Sequence, residues 1–116
     1  MNTMTDKHKT FTAGTALVAN RRVKILGAGL VGYAGDGEAC IGITTTNAAS
    51  GAAVTVKLIN DSGTFAMTAK EAITANKAVY GAADGKITGT AAGDILGMTN
   101  EASTADGDVI EIVRIA

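Results

Sequence analysis

The chain has 116 residues, a formal net charge of −1, 47% apolar residues and 15 glycines, with no proline and no tryptophan. That length fits one domain, and the near-neutral charge argues against a general nucleic-acid binder. The lone cysteine, Cys40, excludes an internal disulfide, and no run of about 18 apolar residues is present to span a membrane.

In chain order, residues 1–15 show no helical or strand period and begin polar, so we expect a flexible N-terminal arm and no secretory signal. Residues 16–116 are expected to form a single β domain. Arg22–Leu26 reads as a short strand. It runs into Gly27-Ala28-Gly29-Leu30-Val31-Gly32, which matches the dinucleotide-binding fingerprint. That fingerprint requires a long helix from Leu30. Gly32, Gly35 and the Asp36-Gly37 turn interrupt it, and Asn47, Ala48 and Ala49 stand where the acidic ribose contact belongs. Nucleotide binding through Gly27–Gly32 is therefore kept only as an alternative.

Ala39–Thr44 is the next short strand, with Cys40 as a small buried side chain inside it. The run Thr44-Thr45-Thr46 suits an exposed strand edge. Val54–Leu58 alternates apolar and polar residues, the mark of a half-buried strand. Thr68-Ala69-Lys70-Glu71 fits a capping box and predicts at most one or two helical turns. Ala78–Tyr80, Ile95–Thr99 and Val109–Ile115 read as further strands. Val113 breaks the alternation, predicting a bulge or a strand buried on both faces. Asp36-Gly37, Ser62-Gly63, Asp84-Gly85 and Asp106-Gly107 supply the turns.

The chain repeats itself. Ala16–Val23 (ALVANRRV) and Ala72–Val79 (AITANKAV) follow one pattern 56 residues apart. Gly37-Glu38 aligns with Gly93-Asp94. After a one-residue loss, Ile41–Thr44 aligns with Leu96–Thr99, and Gly51, Val54, Val56 and Ile59 align with Gly107, Ile110, Ile112 and Ile115. The pseudo-repeats thus span about 16–60 and 72–116. Each is too short to bury its own core, so we expect the two to share one. Asn20 and Asn76 hold equivalent places, where a left-handed residue would turn the chain into a strand. A core poor in large side chains should gain stability from docking or oligomerising.

Groups able to do chemistry are sparse. His8 is the single histidine and lies in the expected arm. Asp94, Glu101, Asp106 and Asp108 lack the spacing of a calcium loop and read as solvated turns. No metal-ligand spacing is present, and no cofactor is expected. Charge is uneven. Met1–Lys24 holds five Lys or Arg and one Asp, whereas Asp84–Ala116 holds six acids against Lys86 and Arg114. Such an imbalance could steer head-to-tail contacts between copies, or docking on a partner.

Ala72–Tyr80 (AITANKAVY), Asp84–Thr88 (DGKIT), Gly93–Thr99 (GDILGMT) and Gly107–Ile112 (GDVIEI), taken in order, resemble the small capsid cement proteins of tailed bacteriophages. Gly37–Thr44 followed by Val54–Phe65 is also similar to the lambda-type head decoration family, whose Ser-Gly-Thr-Phe turn is matched by Ser62–Phe65. The resemblance runs from about Thr15 onward. The family often has Gly where Asn20 and Asn76 stand.

The resemblance implies a mainly β fold, with a small barrel-like or sandwich domain and an extended N-terminal arm. It implies a non-enzymatic decoration protein on the outer surface of the virion capsid, near threefold positions. Its partners would be the major capsid protein and itself as a homotrimer, with no nucleic acid and no membrane. On this reading Lys7, Lys9, Phe11 and Thr12 are the expected capsid contacts. Ser62, Gly63, Thr64, Phe65 and Met67 are the expected trimer contacts. The rival reading is another virion or surface interaction module, a tail or adhesion component.

Overall fold

A computed structural model describes residues 8–59 and 63–114. Ten strands account for its regular structure: β1 His8–Ala13, β2 Arg22–Gly27, β3 Leu30–Tyr33, β4 Gly42–Thr44, β5 Ala53–Leu58, β6 Thr64–Thr68, β7 Ala78–Gly81, β8 Ile87–Thr88, β9 Gly97–Thr99 and β10 Val109–Val113. The fold is mainly β, as expected. Its helical content among the described residues is one 3₁₀ turn, Ala83–Gly85.

β1 to β5 close into a barrel in the order β1-β3-β2-β4-β5. β5 returns antiparallel to β1, with His8 opposite Lys57 and Thr12 opposite Ala53. β1 also runs parallel to β3, where Ala13 faces Val31. The second half forms a sheet in the order β6-β10-β9-β7-β8. Its pairings copy those of the barrel. Thr64 faces Val113 as His8 faces Lys57, and Met98 faces Ala78 as Ile43 faces Arg22. A parallel bridge between Ala69 and Ile87 stands where Ala13 and Val31 pair in the barrel.

The repeat therefore begins earlier than residue 16. Residues 8–13 are not an arm. They are the counterpart of β6, with the ring of Phe11 in the core beside Ala13. The signal was present in the sequence: Phe11-Thr12-Ala13 stands 56 residues before Met67-Thr68-Ala69. Alternation of Lys9, Phe11 and Ala13 with His8, Thr10 and Thr12 is too short to read as a strand until its copy is placed beside it.

Two cores form rather than one shared core. The first unit buries Phe11, Leu17, Val23, Val31, Val54 and Val56 inside the barrel. The second buries Phe65, Met67, Ile73, Val79, Ile87, Ile110 and Ile112. A closed or nearly closed sheet turns alternate side chains inward, so even a unit of about 50 residues encloses its own apolar set. Ile43 is the exception: it belongs to the barrel by sequence and to the second core by packing.

The positive-φ positions fall where the turn argument puts them. Asn20 and Asn76 have φ of 67° and 58°. Each is followed by the same bonds: the backbone N–H of Asn20 donates to Thr44 O, and that of Asn76 to Thr99 O. The hydroxyl of Thr44 donates to Val18 O at 2.7 Å, and that of Thr99 to Thr74 O at 2.7 Å. Thr44 is thus fully buried, not part of an exposed edge. Only Thr45 and Thr46 face solvent.

Two further local expectations are corrected. The box at Thr68–Glu71 starts no helix. The Thr68 hydroxyl donates to Asn20 O, and the Glu71 carboxylate accepts from the Thr88 hydroxyl instead of from its own segment. β10 carries no bulge, because its register against β6 is unbroken and Val113 simply faces outward. The register shift lies in β2, between Ile25 and Gly27.

Candidate functional site

The fingerprint-like stretch folds as a β-hairpin. β2 and β3 pair antiparallel around Gly27-Ala28-Gly29, with Gly29 at φ 69°. Dinucleotide recognition needs a helix N-terminus aimed at the pyrophosphate. Here β3 occupies the place of that helix, so the nucleotide-binding alternative loses its structural basis. Among the described residues, no three His, Cys, Asp or Glu side chains gather in a way that could hold a metal ion. No described helix is long and apolar enough to cross a membrane.

What the chain builds instead is a joint between its two units, centred on Arg22. This residue is fully buried. Its Nε donates to Lys86 O at 3.0 Å, one Nη to Glu38 O at 3.2 Å, and the other Nη to Ala34 O, Gly35 O and Ala82 O at 3.2, 2.9 and 2.6 Å. Three of these carbonyls belong to the first unit and two to the second. The planar, five-donor guanidinium suits such a cluster of acceptors. Burial pulls its pKa down from the ordinary value, opposed by Cys40, Glu38 and Asp36 nearby.

Around this pin the units lock by backbone contacts. Gly85 N–H donates to Ala34 O, Gly37 N–H to Gly81 O, and Thr68 N–H to Asn20 O. Gly37 and Gly93, equivalent in the repeats, touch one another, and a Cβ on Gly93 would strike the Gly37 carbonyl. Equivalent points meet only near the axis that relates two units, so this contact marks that axis. Arg21 lies over the Tyr33 ring at 5.4 Å, and Lys57 lies over the Phe65 ring at 4.3 Å.

Beside the joint is an open cleft of about 450 Å³, lined by Glu38, Cys40, Ile59, Asp94, Leu96 and Arg114 among others. Cys40 is half-buried there rather than fully buried. Burial pushes its thiol pKa up, with Arg22 pulling the other way, which leaves a poor nucleophile. Lys24 grips Glu38 at 2.9 Å, and this pairing, with the Gly35 N–H, holds the Glu38 carboxyl below its ordinary pKa.

The residues expected to bind partners are scattered by the fold. Lys7 and Ser62 lie outside the described residues. Lys9 and Thr12 are exposed on β1, but Phe11 between them points into the barrel and is closed to a partner. Phe65 and Met67 are 3% and 0% exposed, core residues of the second unit. Gly63 and Thr64 remain exposed at the start of β6. Sequence reasoning missed Arg22. The available signal was a charged residue at an outward strand position whose copy, Ala78, is apolar.

Apolar side chains do reach solvent elsewhere. Ile25 and Leu26 on the β2–β3 hairpin are 55% and 52% exposed, and Val109 and Val113 on β10 are 48% and 37% exposed.

Comparison with known proteins agrees with this β architecture. The fold is similar to that of the N base of head fiber gp8.5 from bacteriophage phi29, with a TM-score of 0.78 at 15% identity, covering 93% of this chain and 92% of that one. A search of curated proteins finds no match. The profile of the phage cement proteins matches residues 3–115, nearly the whole chain. On that match, the doubled β chain built around Arg22 belongs to the phage cement protein family, a family of virion-associated structural proteins.

Proposed function

We propose that this chain is a capsid decoration protein that binds the outer surface of a phage head, as a homotrimer. It stabilises contacts between major capsid protein subunits. The observation that carries this reading is the family match over residues 3–115. A mechanical role is supported by a doubly cored β unit pinned by a buried Arg22, with apolar side chains exposed on β2 and β10.

Binding of this kind needs no turnover. A protein that binds the expanded shell and not its dissociated subunits stabilises the shell by mass action. Three copies acting together make modest single contacts hold firmly. On the capsid side we assign the exposed residues Lys9 and Thr12 of β1, together with Lys7 ahead of it. On the trimer side Gly63 and Thr64, with Ser62 before them, are retained from the expected set.

The test is decoration of purified expanded heads, read by sedimentation and electron microscopy. A chain lacking residues 1–7 keeps β1, so it is expected to stay folded and lose head occupancy. Absence of any binding by the intact chain would sink the reading. Full occupancy by the shortened chain would remove the N-terminal contact alone.

A further inference from the structure

Within one chain the two units meet head to tail, and the match is one-sided. On the outside of the barrel a row of residues crosses β5, β4 and β2: Lys57, Ile43 and Arg22. This row is covered, with Ile43 2% and Arg22 0% exposed. The cover comes from the second unit. Its β7–β8 hairpin brings Ala82 O and Lys86 O onto the guanidinium, and Phe65 lies under Lys57.

The equivalent row of the second unit is Val113, Met98 and Ala78, across β10, β9 and β7. It is open: Val113 is 37% exposed, and Met98 and Ala78 are half-buried. The equivalent of the covering hairpin is the β2–β3 hairpin of the first unit. There Ile25 and Leu26 stand in the places of Gly81 and Ala82, and they face solvent. Each chain thus carries one unused hairpin and one unused row.

The two unused surfaces complement each other in size, polarity and charge. Where the receiving residue is the large Arg22, the hairpin offers Gly81, and a Cβ there would lie 2.7 Å from the guanidinium. Where the receiving residue is the small Ala78, the free hairpin offers Ile25. Both free surfaces are apolar. Residues 8–59 carry Lys9, Arg21, Arg22, Lys24 and Lys57 against Asp36 and Glu38, an excess of three positive charges. Residues 63–114 carry Lys70, Lys77, Lys86 and Arg114 against Glu71, Asp84, Asp94, Glu101, Asp106, Asp108 and Glu111, an excess of three negative charges. Opposite charge on the two ends favours head-to-tail approach over like-to-like approach.

We propose that copies of this chain join head to tail, the Ile25–Leu26 hairpin of one copy seating on the Ala78–Met98–Val113 row of the next. The contact between chains then repeats the contact within the chain. A heterologous contact closes into a ring when its rotation permits, and a trimer built this way is a ring of six β units. The proposal rests on the self-assembly part of the reading above and not on capsid binding.

The experiment is light scattering on the purified full chain, with circular dichroism as the check on folding. The unmodified chain is expected to be oligomeric at its highest soluble concentration. An Ile25→Asp, Leu26→Asp variant and an Ala78→Glu, Val113→Asp variant are each expected to be monomeric. Mixed in equal amounts they should form a dimer and nothing larger, because one intact hairpin and one intact row remain. A monomeric unmodified chain overturns the proposal. Either variant keeping the original size overturns the assigned surfaces while leaving self-assembly standing. Should the second variant unfold, an Ile25→Cys, Ala78→Cys chain in a Cys40→Ser background replaces it. A short bismaleimide is expected to link neighbouring copies, and an intact oligomer without such links overturns the contact. Failure of an intact oligomer to bind heads would strike the capsid reading and leave this contact untouched.

Discussion

In the first unit β1 runs along β5 from His8 to Thr12 and turns onto β3, closing a barrel. In the second the same closure narrows to the Ala69–Ile87 bridge, because β8 is only Ile87–Thr88. At the end of the shortened hairpin the carbonyls of Ala82 and Lys86 accept from Arg22, Lys86 O while still holding the Ala82 N–H. The first unit keeps its hairpin long, and that hairpin ends in exposed Ile25 and Leu26. A duplicated fold can thus hold its strand pairings constant while one copy is altered to lock the pair and the other retains a free surface.

The largest effect is expected at the joint. Arg22→Met removes the guanidinium from five carbonyls, of which Ala34, Gly35 and Lys86 keep a backbone N–H donor while Glu38 and Ala82 lose theirs. It should cost about 3–5 kcal/mol in denaturant unfolding, at about 1–3 kcal/mol for each carbonyl left bare. Arg22→Lys should recover part of this, having fewer donors in a less suitable geometry. A loss below about 1 kcal/mol for Arg22→Met would mean that the units hold together without the pin.

Next come the paired core residues. Phe11→Ala should cost about 3–5 kcal/mol and Met67→Ala about 2–5 kcal/mol by the same method. A near-neutral Phe11→Ala would return residues 8–13 to the status of an arm. Asn20→Ala and Asn76→Ala should each cost about 1 kcal/mol, because Ala lacks the short polar side chain that makes positive φ tolerable for Asn, and Asn→Gly at either site much less, because Gly carries no Cβ. Unequal losses would show that the two turns are not carrying the same constraint.

The smallest effect is electrostatic and belongs to the second unit. Asp108 accepts from the Thr104 N–H and hydroxyl and the Ala105 N–H, which hold its carboxyl below the ordinary pKa. The equivalent stretch of the first unit, Ala49-Ser50-Gly51-Ala52, has no such acid. A lowered folded-state pKa means stability present above the ordinary carboxylate range and lost as pH falls through the folded value. Asp108→Asn should therefore flatten the acid side of the stability profile. Hydrogen exchange should report the acid-induced loosening at residues 104–108 and not at 49–52.

Much of this architecture was legible in the sequence because the copies annotate one another. Asn20 and Asn76, the Asp-Gly turns and the alternating Val54–Leu58 are local signals, and their geometry is local too. Three things were hidden by longer-range packing. β1 is too short to show a period alone. Thr68–Glu71 meets the local rule for a helix start, but Asn20 and Thr88 engage its side chains first. Arg22 looks like one more basic residue until the second hairpin arrives across 60 and 64 residues of chain to surround it. The partner surfaces were least legible, since Phe11, Phe65 and Met67 look like anchors for another protein when their own cores are not yet known.

The way Arg22 is surrounded also orders the life of the chain on the ribosome. β5 must emerge before the first barrel can close, so residues 8–13 wait for Lys57. Even then the guanidinium has only the acceptors at Ala34, Gly35 and Glu38. Its last two arrive with Ala82 and Lys86, 60 and 64 residues after Arg22 itself. The seam between the halves is thus sealed only after the first barrel has its strands, and a nascent chain stopped short of Lys86 leaves a cation unsheltered at the place where the folded molecule is most firmly clasped.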